Sequence, residues 1–134
     1  MDIKEWLNRG RKSSKMIEGL EEEKNNMRKF MLSPSCTDYK AAIHRYFAYE
    51  ARIDSEIDKI IIVKNEISDL ISRLPYGPSR QILQLRYLCM VDTWDEIAAK
   101  MNYDLRWIHR RIHPQALRDA EKIRDGVIDR PVKN

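Results

Sequence analysis

TWDEIAAKMNYDLRWIHRRIHPQAL, residues 93–117, decides how this chain is read. Thr93 and Glu96 stand at capping-box spacing: a hydroxyl at a helix start and a carboxylate three residues on. Each can satisfy a backbone N–H that a helix leaves free at its beginning. Ile97, Ala98 and Met101 then recur on one helical face, and the small Ala98 and Ala99 leave room for a neighbouring helix. Asn102-Tyr103-Asp104 supplies a turn. Asparagine tolerates the left-handed conformation that ends many helices, and Asp104 is a favoured N-cap for the next one. Tyr103 is expected to be the buried residue of this turn.

The second helix starts near Leu105. Leu105, Ile108 and Ile112 are spaced as an inner stripe. A rotation of about 100° per residue puts Arg106, Trp107, Arg110 and His113 on the opposite side, with His109 and Arg111 at the flanks. Residues 105–117 hold no acidic side chain, in a chain with 21 Asp and Glu against 25 Lys and Arg. That local absence is the electrostatic footprint a phosphate backbone selects. A short helix, a three-residue turn and a basic helix come in the order of a helix-turn-helix, whose second helix lies in the major groove of DNA. The plain alternative is a solvated basic face. The candidate DNA-binding residues are Arg106, Trp107, His109, Arg110, Arg111 and His113, joined by Thr93 and Lys100 from the supporting helix. Trp107 can meet a thymine methyl or tuck sideways against the domain; Trp94 is expected to pack on the core rather than lie against a phosphate. Pro114 removes a hydrogen bond to the Arg110 carbonyl and crowds that turn, so the helix is expected to kink or restart there.

LQLRYL at residues 83–88, TWDEIAAKMNY and RWIHRRIH with the following Ala116-Leu117 resemble region four of sigma factors. They resemble still more the small transcription activators of the RinA and ArpU type from phages of Gram-positive bacteria. The likeness is specific over residues 79–117 and architectural over the N-terminal helices. It implies a domain like the sigma module that reads the promoter −35 element, a role in regulating late phage genes, and residence in the cytoplasm of a bacterial host. Carried onto this chain, residues 93–101 form the supporting helix, and Arg106, Trp107, His109 and Arg110 occupy the recognition positions.

Outward from this segment, the chain of 134 residues has room for one domain or two small units. It is 34% charged, with four glycines and five prolines, and its net charge is +4. That is the profile of an all-α protein. Leu74-Pro75-Tyr76-Gly77-Pro78 is the clearest junction, because two prolines and a glycine in five residues end a helix. The expected division is a helical hairpin over residues 1–74 and a helix-turn-helix domain with a C-terminal tail over residues 75–134. Ser79 is the expected cap of the next helix, with Ile82, Leu83, Leu85 and Leu88 as its apolar residues. The tail DGVIDRPVKN, from residue 125, is expected to be loose.

The N-terminal half reads as two long helices. Residues 2–32 carry Ile3, Trp6, Ile17, Leu20, Met27 and Met31 on a heptad seam broken by Gly10, Ser13 and Lys24, and the first two turns are expected to fray. Ser33-Pro34-Ser35-Cys36 breaks the pattern, and Thr37 or Asp38 can cap the second helix. Residues 39–74 sustain a heptad through Ile43, Tyr46, Ile53, Ile57, Ile60, Ile67, Ile71 and Leu74, with Glu50 and Lys64 as polar insertions. The short connection favours an antiparallel, coiled-coil-like hairpin. Two helices cannot bury such broad stripes, so the remainder is expected either to pack on the C-terminal domain or to self-associate; the second is preferred, with Ile53, Ile57, Ile60, Ile67 and Ile71 mediating oligomerisation and a homodimer as the expected state.

Other chemistries find little support. Cys36 and Cys89 have no CxxC companion, so no disulfide framework is indicated; a loop thiol (Cys36) and a core filler (Cys89) in a reducing compartment are expected. The start MDIKEWLNRG is no signal peptide, and Ile60-Ile61-Ile62-Val63 is too short to span a bilayer. His109 and His113 are four apart but lack a third ligand nearby and sit among arginines, so no metal is expected. No catalytic constellation, phosphate loop or cofactor motif occurs; neither an enzyme nor a small-molecule substrate is expected. The leading expectation is a sequence-specific transcription regulator on double-stranded DNA, whose hairpin self-associates or contacts RNA polymerase. The alternatives are a DNA-packaging recognition subunit like a phage small terminase, and a protein-interaction module such as an anti-sigma or anti-repressor factor.

Overall fold

The computed structural model describes residues 1–126. The loose tail expected from residue 125 therefore lies, from residue 127 onward, outside the described residues. Among the described residues every element is a helix, as the composition predicts. They are α1 (Ile3–Leu7), α2 (Arg9–Met31), α3 (Tyr39–Ser72), α4 (Pro78–Leu83, running on through the wider π-helical turn Gln84–Leu88), α5 (Trp94–Met101) and α6. The last is one rod assembled from Leu105–Trp107, the π-helical turn Ile108–Ile112 and His113–Arg124. At 1.5 Å per residue the 34 residues of α3 extend over roughly 50 Å. No helix among the described residues is long and apolar enough to cross a membrane.

Packing separates the chain into two compact units. One joins residues 1–11 to the described residues from 63 onward; the other is residues 12–62. The boundary expected between residues 74 and 75 is thus not where the contacts divide. The reason lies in the two ends of the supposed hairpin. Residues 3–7 do not fray as the start of one long helix; they form a separate helix capped by Asp2, whose side chain accepts from the Glu5 N–H at 2.7 Å. α1 ends at Asn8, whose N–H returns to the Lys4 carbonyl at 3.0 Å. Ile3 and Leu7 then sit in the core with Ile67, Leu70, Ile71 and Leu74 from the end of α3 and just beyond it. Arg9 fastens the corner. Its Nε donates to the Trp6 carbonyl at 2.9 Å, its Nη2 meets Glu66 at 2.8 Å, and its guanidinium lies 4.5 Å over the Trp6 ring.

Ile82, Leu83 and Tyr87 of α4, Ile97 and Met101 of α5, and Ile108, Ile112, Ala116, Ala120 and Ile123 of α6 complete that core. Two positions differ from expectation. Gly77, not Ser79, occupies the N-cap of α4, and Pro78 sits in its first turn, where a missing N–H costs nothing. Cys89 is exposed at the end of α4 rather than filling the core.

The unit over residues 12–62 is a helix pair built from α2 and α3. Leu20, Ala42 and Ile53 are buried in it. Asp38 caps α3, accepting from the Ala41 N–H at 3.0 Å. Lys24 meets Glu50 at 3.2 Å and lies 5.2 Å over the Tyr46 ring. The hydrogen bond to Glu50 raises the Lys24 pKa above its ordinary value, against the smaller opposing effect of burial. The seam expected to serve oligomerisation is largely occupied within the chain. Ile67 and Ile71 are in the core of the other unit, and Ile53 is buried here. Ile60 is half-buried, and among the five only Ile57 is exposed.

Candidate nucleic-acid interface

Most of the local chemistry read from residues 93–104 is present, with the Thr93 half of the capping box formed. The Thr93 hydroxyl accepts from the Glu96 N–H at 3.2 Å and caps α5. Asn102 closes the helix in the left-handed conformation, with φ 58° and ψ 44°. Its N–H goes to the Ala99 carbonyl at 3.3 Å and the Tyr103 N–H to the Ala98 carbonyl at 3.1 Å, the paired bonds of a Schellman ending. Asp104 then caps α6 through the Arg106 N–H at 2.8 Å. Tyr103 departs from expectation: it is 39% exposed rather than buried. The turn closes on backbone bonds, so it needs no buried anchor of its own.

α6 is divided lengthwise. Ile108 and Ile112 face the core, while Arg106, Trp107, His109, Arg110 and Arg111 are exposed. Trp107 keeps 49% of its surface in water, and the Arg111 guanidinium lies 5.6 Å from its ring centre. Lys100 and Thr93 are exposed at the two ends of α5. The Thr93 oxygen is engaged in the cap, but its hydroxyl hydrogen remains able to donate outward.

Pro114 does not interrupt the helix. The backbone at Ile112 and His113 stays right-handed helical, at φ −71° and ψ −51°, then φ −65° and ψ −46°. The preceding turn widens instead: the His113 N–H reaches back five residues to the Ile108 carbonyl. A π-helical turn of this kind re-satisfies the backbone around a residue that cannot donate.

The widened turn also explains why His113 is buried. Uninterrupted periodicity predicts His113 on the exposed face; it is 7% exposed, and its Nε2 shares a hydrogen bond of 2.9 Å with the Tyr87 hydroxyl. One extra residue in a turn shifts every later side chain by about 100° relative to an uninterrupted α-helix. Sequence periodicity alone does not register that shift. The Trp94 ring lies 4.6 Å from His113 and 5.3 Å from the exposed His109, with the Arg86 guanidinium 4.5 Å from its centre. Trp94 thus packs on the domain, as expected. Burial pushes His113 down to about 4, helped by the charges of Lys4, Arg86 and His109, and burial likewise pushes the Tyr87 hydroxyl up to about 12. Both groups are therefore uncharged near neutral pH. With His113 turned inward, the two histidines do not offer a shared solvent-facing site, and no cluster of three metal-ligating side chains occurs among the described residues.

A second group, where α4 leads into α5, has no signature in the sequence. Arg11, buried, donates from Nη1 to the Arg86 and Val91 carbonyls, both at 3.3 Å, and its Nη2 lies 3.5 Å from Asp92. Arg86 donates to the Asp92 carbonyl at 2.7 Å. Burial, then the neighbouring Arg11 charge, lowers the Arg86 pKa from its ordinary value. Two guanidinium groups thus gather the Arg86 carbonyl, from the last turn of α4, and the Val91 and Asp92 carbonyls of the segment that follows it. Residues 75 sequence positions apart meet there, and no local pattern in either segment announces it.

Comparison with known protein families, with curated proteins and with solved structures gives no match to this chain.

Proposed function

We propose that this chain is a DNA-binding protein of the helix-turn-helix class, with α5 as supporting helix and α6 as the helix that enters the major groove. Within that class, the reading favoured is a sequence-specific transcription regulator, of the kind that activates late phage genes and resembles sigma region four. The observation that carries it is the segregation of charge on α6. Arg106, Arg110 and Arg111 share its exposed side with Trp107 and His109, while the other side is held in the core by Ile108 and Ile112. Arg106 and Arg110 are the candidates for guanine edges, which present two acceptors to a guanidinium fork. Lys100, Arg111 and the Thr93 hydroxyl suit phosphate contacts, which position the protein without reading sequence. Trp107 offers an apolar ring to a thymine methyl or a sugar. His113 is left out of this set because it serves the core. RNA polymerase remains the proposed further partner on the strength of the sigma likeness alone.

The test is selection of bound duplexes from a random pool near physiological salt, where phosphate-only binding is suppressed. The expected result is a defined motif that an Arg106→Ala, Arg110→Ala double variant no longer selects. Arg110→Ala alone should cost about 1–3 kcal/mol on that motif and relax one base position. An unselective pool, with binding that vanishes as salt rises, would remove the regulator reading.

A further inference from the structure

The helix pair leaves one face of α3 entirely in water. Residues 40, 44, 47, 51, 55, 58 and 62 succeed one another by three or four positions, so they form a single helical line. All are exposed, including two large apolar side chains, Phe47 at 55% and Ile62 at 60%. The chemistry along that line changes from one end to the other. Lys40 and His44 lie at its start, Ala51 and Ser55 in the middle, Asp58 and Ile62 at its end. Ala48 and Asp54, also exposed, border it.

We propose that this face binds a second copy of itself, antiparallel, with the twofold axis passing beside Ala51. The positions on either side of residue 51 are its mirror images in a twofold: 47 faces 55, 44 faces 58 and 40 faces 62. Each pairing is complementary. Phe47 lies over the small Ser55 of the second copy. His44, with Lys40 one turn away, meets Asp58. The aliphatic stem of Lys40 covers Ile62. Ala51 meets Ala51, which permits the close approach of two helix backbones. A parallel pairing would instead set Asp58 against Asp58 and Lys40 against Lys40, which like-charge repulsion opposes. The interface is therefore isologous and self-closing. It differs from the seam of Ile53, Ile67 and Ile71, whose side chains are buried within one chain. It is also independent of the DNA reading, since it uses none of the residues on α5 or α6.

Cysteine scanning tests it directly, in the full chain with Cys36→Ser and Cys89→Ser. The expected result is that Ala51→Cys forms a disulfide-linked dimer under mild oxidation, because a residue on the axis meets its own copy within disulfide reach. Ile62→Cys should not link to itself but should link to Lys40→Cys when the two variants are mixed. Asp58→Lys should weaken dimerisation in analytical ultracentrifugation by roughly tenfold or more, and the added change Lys40→Asp, His44→Asp should restore it. Circular dichroism confirms that each variant keeps its helices. Self-linking at Ile62→Cys would replace the arrangement with a parallel one. A chain that stays monomeric at high concentration, or a dimer that never links through Ala51→Cys, would overturn the proposal.

Discussion

The two units of this chain solve the same problem with unequal means. Around α1, the end of α3 and α4 to α6, helices from five places in the sequence share one core, and each apolar stripe finds a partner. In the pair over residues 12–62 only Leu20, Ala42 and Ile53 are buried, while Met16, Phe30, Leu32, Tyr39, Phe47, Ile57, Ile61 and Ile62 are exposed. Two helices have only one face each to give one another, and the heptad of α2 is interrupted. Fixing a side chain in space takes a third and fourth element. The basic face of α6 has them behind it; the outer face of α3 does not, and remains available to something else.

The sharpest way to break this comparison is to remove a large apolar side chain from each unit. Ile97→Ala, at a fully buried site, should cost about 2–5 kcal/mol through lost transfer energy and the cavity left behind. Met16→Ala, at an exposed helical site, should stay within about 0.5 kcal/mol. All three tryptophans, Trp6, Trp94 and Trp107, belong to the first unit, so urea unfolding followed by tryptophan fluorescence reports on it alone, and circular dichroism reports on both. Equal shifts from the two substitutions would erase the distinction.

The Tyr87–His113 pair gives a smaller and directional effect. His113 is held down at about 4 in the folded chain, against an ordinary 6.5. As pH falls below 6.5 the unfolded chain takes up this proton first, so stability is full above that value and is lost progressively down to about pH 4. The loss should amount to about 1–3 kcal/mol over the window. His113→Gln keeps a polar partner for the Tyr87 hydroxyl and removes the titration. The measured quantity is the difference between the two proteins' unfolding midpoints at pH 7 and pH 4.5. Identical pH dependence in the two would mean that His113 is protonated without penalty.

Much of the fold is legible in the sequence where its determinants are local. The caps at Thr93 and Asp104, the left-handed Asn102, the extent of α3 and the inner stripe of Ile108 and Ile112 depend on residues within a turn or two of one another. The illegible part depends on distance. Residues 3–7 look like the ragged start of a coiled coil until α3 returns to cover them. Ile67 and Ile71 resume the heptad of Ile53 past the single polar insertion Lys64, yet they enter a different core. His113 defeats a local reading because Pro114 signals a break, whereas the widened turn before it keeps the helix intact and rotates its register. The exposed set Arg106, Trp107, His109, Arg110 and Arg111 precedes most of that rotation, which is why simple periodicity locates it.

Caps separate the units more finely. Thr93→Ala removes the acceptor for the Glu96 N–H and should cost about 1 kcal/mol. Because α5 packs through Ile97 and Met101, the loss should appear in the fluorescence transition of the first unit. Ser or Asp at position 93 should restore it. If alanine there changed nothing, the cap seen in the structure would be energetically idle and the placement of α5 would rest on packing alone.

The smallest test turns on two glycines in α2, one in each unit. Glycine inside a helix is unfavourable relative to alanine by roughly 0.5–1 kcal/mol, through the backbone entropy lost on folding. A Cβ added at Gly19 meets nothing within 4 Å. Gly19→Ala should therefore stabilise the helix pair by nearly that full amount, visible in circular dichroism and not in tryptophan fluorescence. A Cβ at Gly10 meets the Met90 Cε at 3.0 Å and the Val63 Cγ1 at 3.8 Å. The methionine end is flexible and can swing aside, but Met90 itself has a positive φ of 57° at the end of α4. Gly10→Ala should thus give less than Gly19→Ala, or nothing. A larger gain at Gly10 than at Gly19 would mean that the first unit is the looser of the two, and the comparison between them would be reversed.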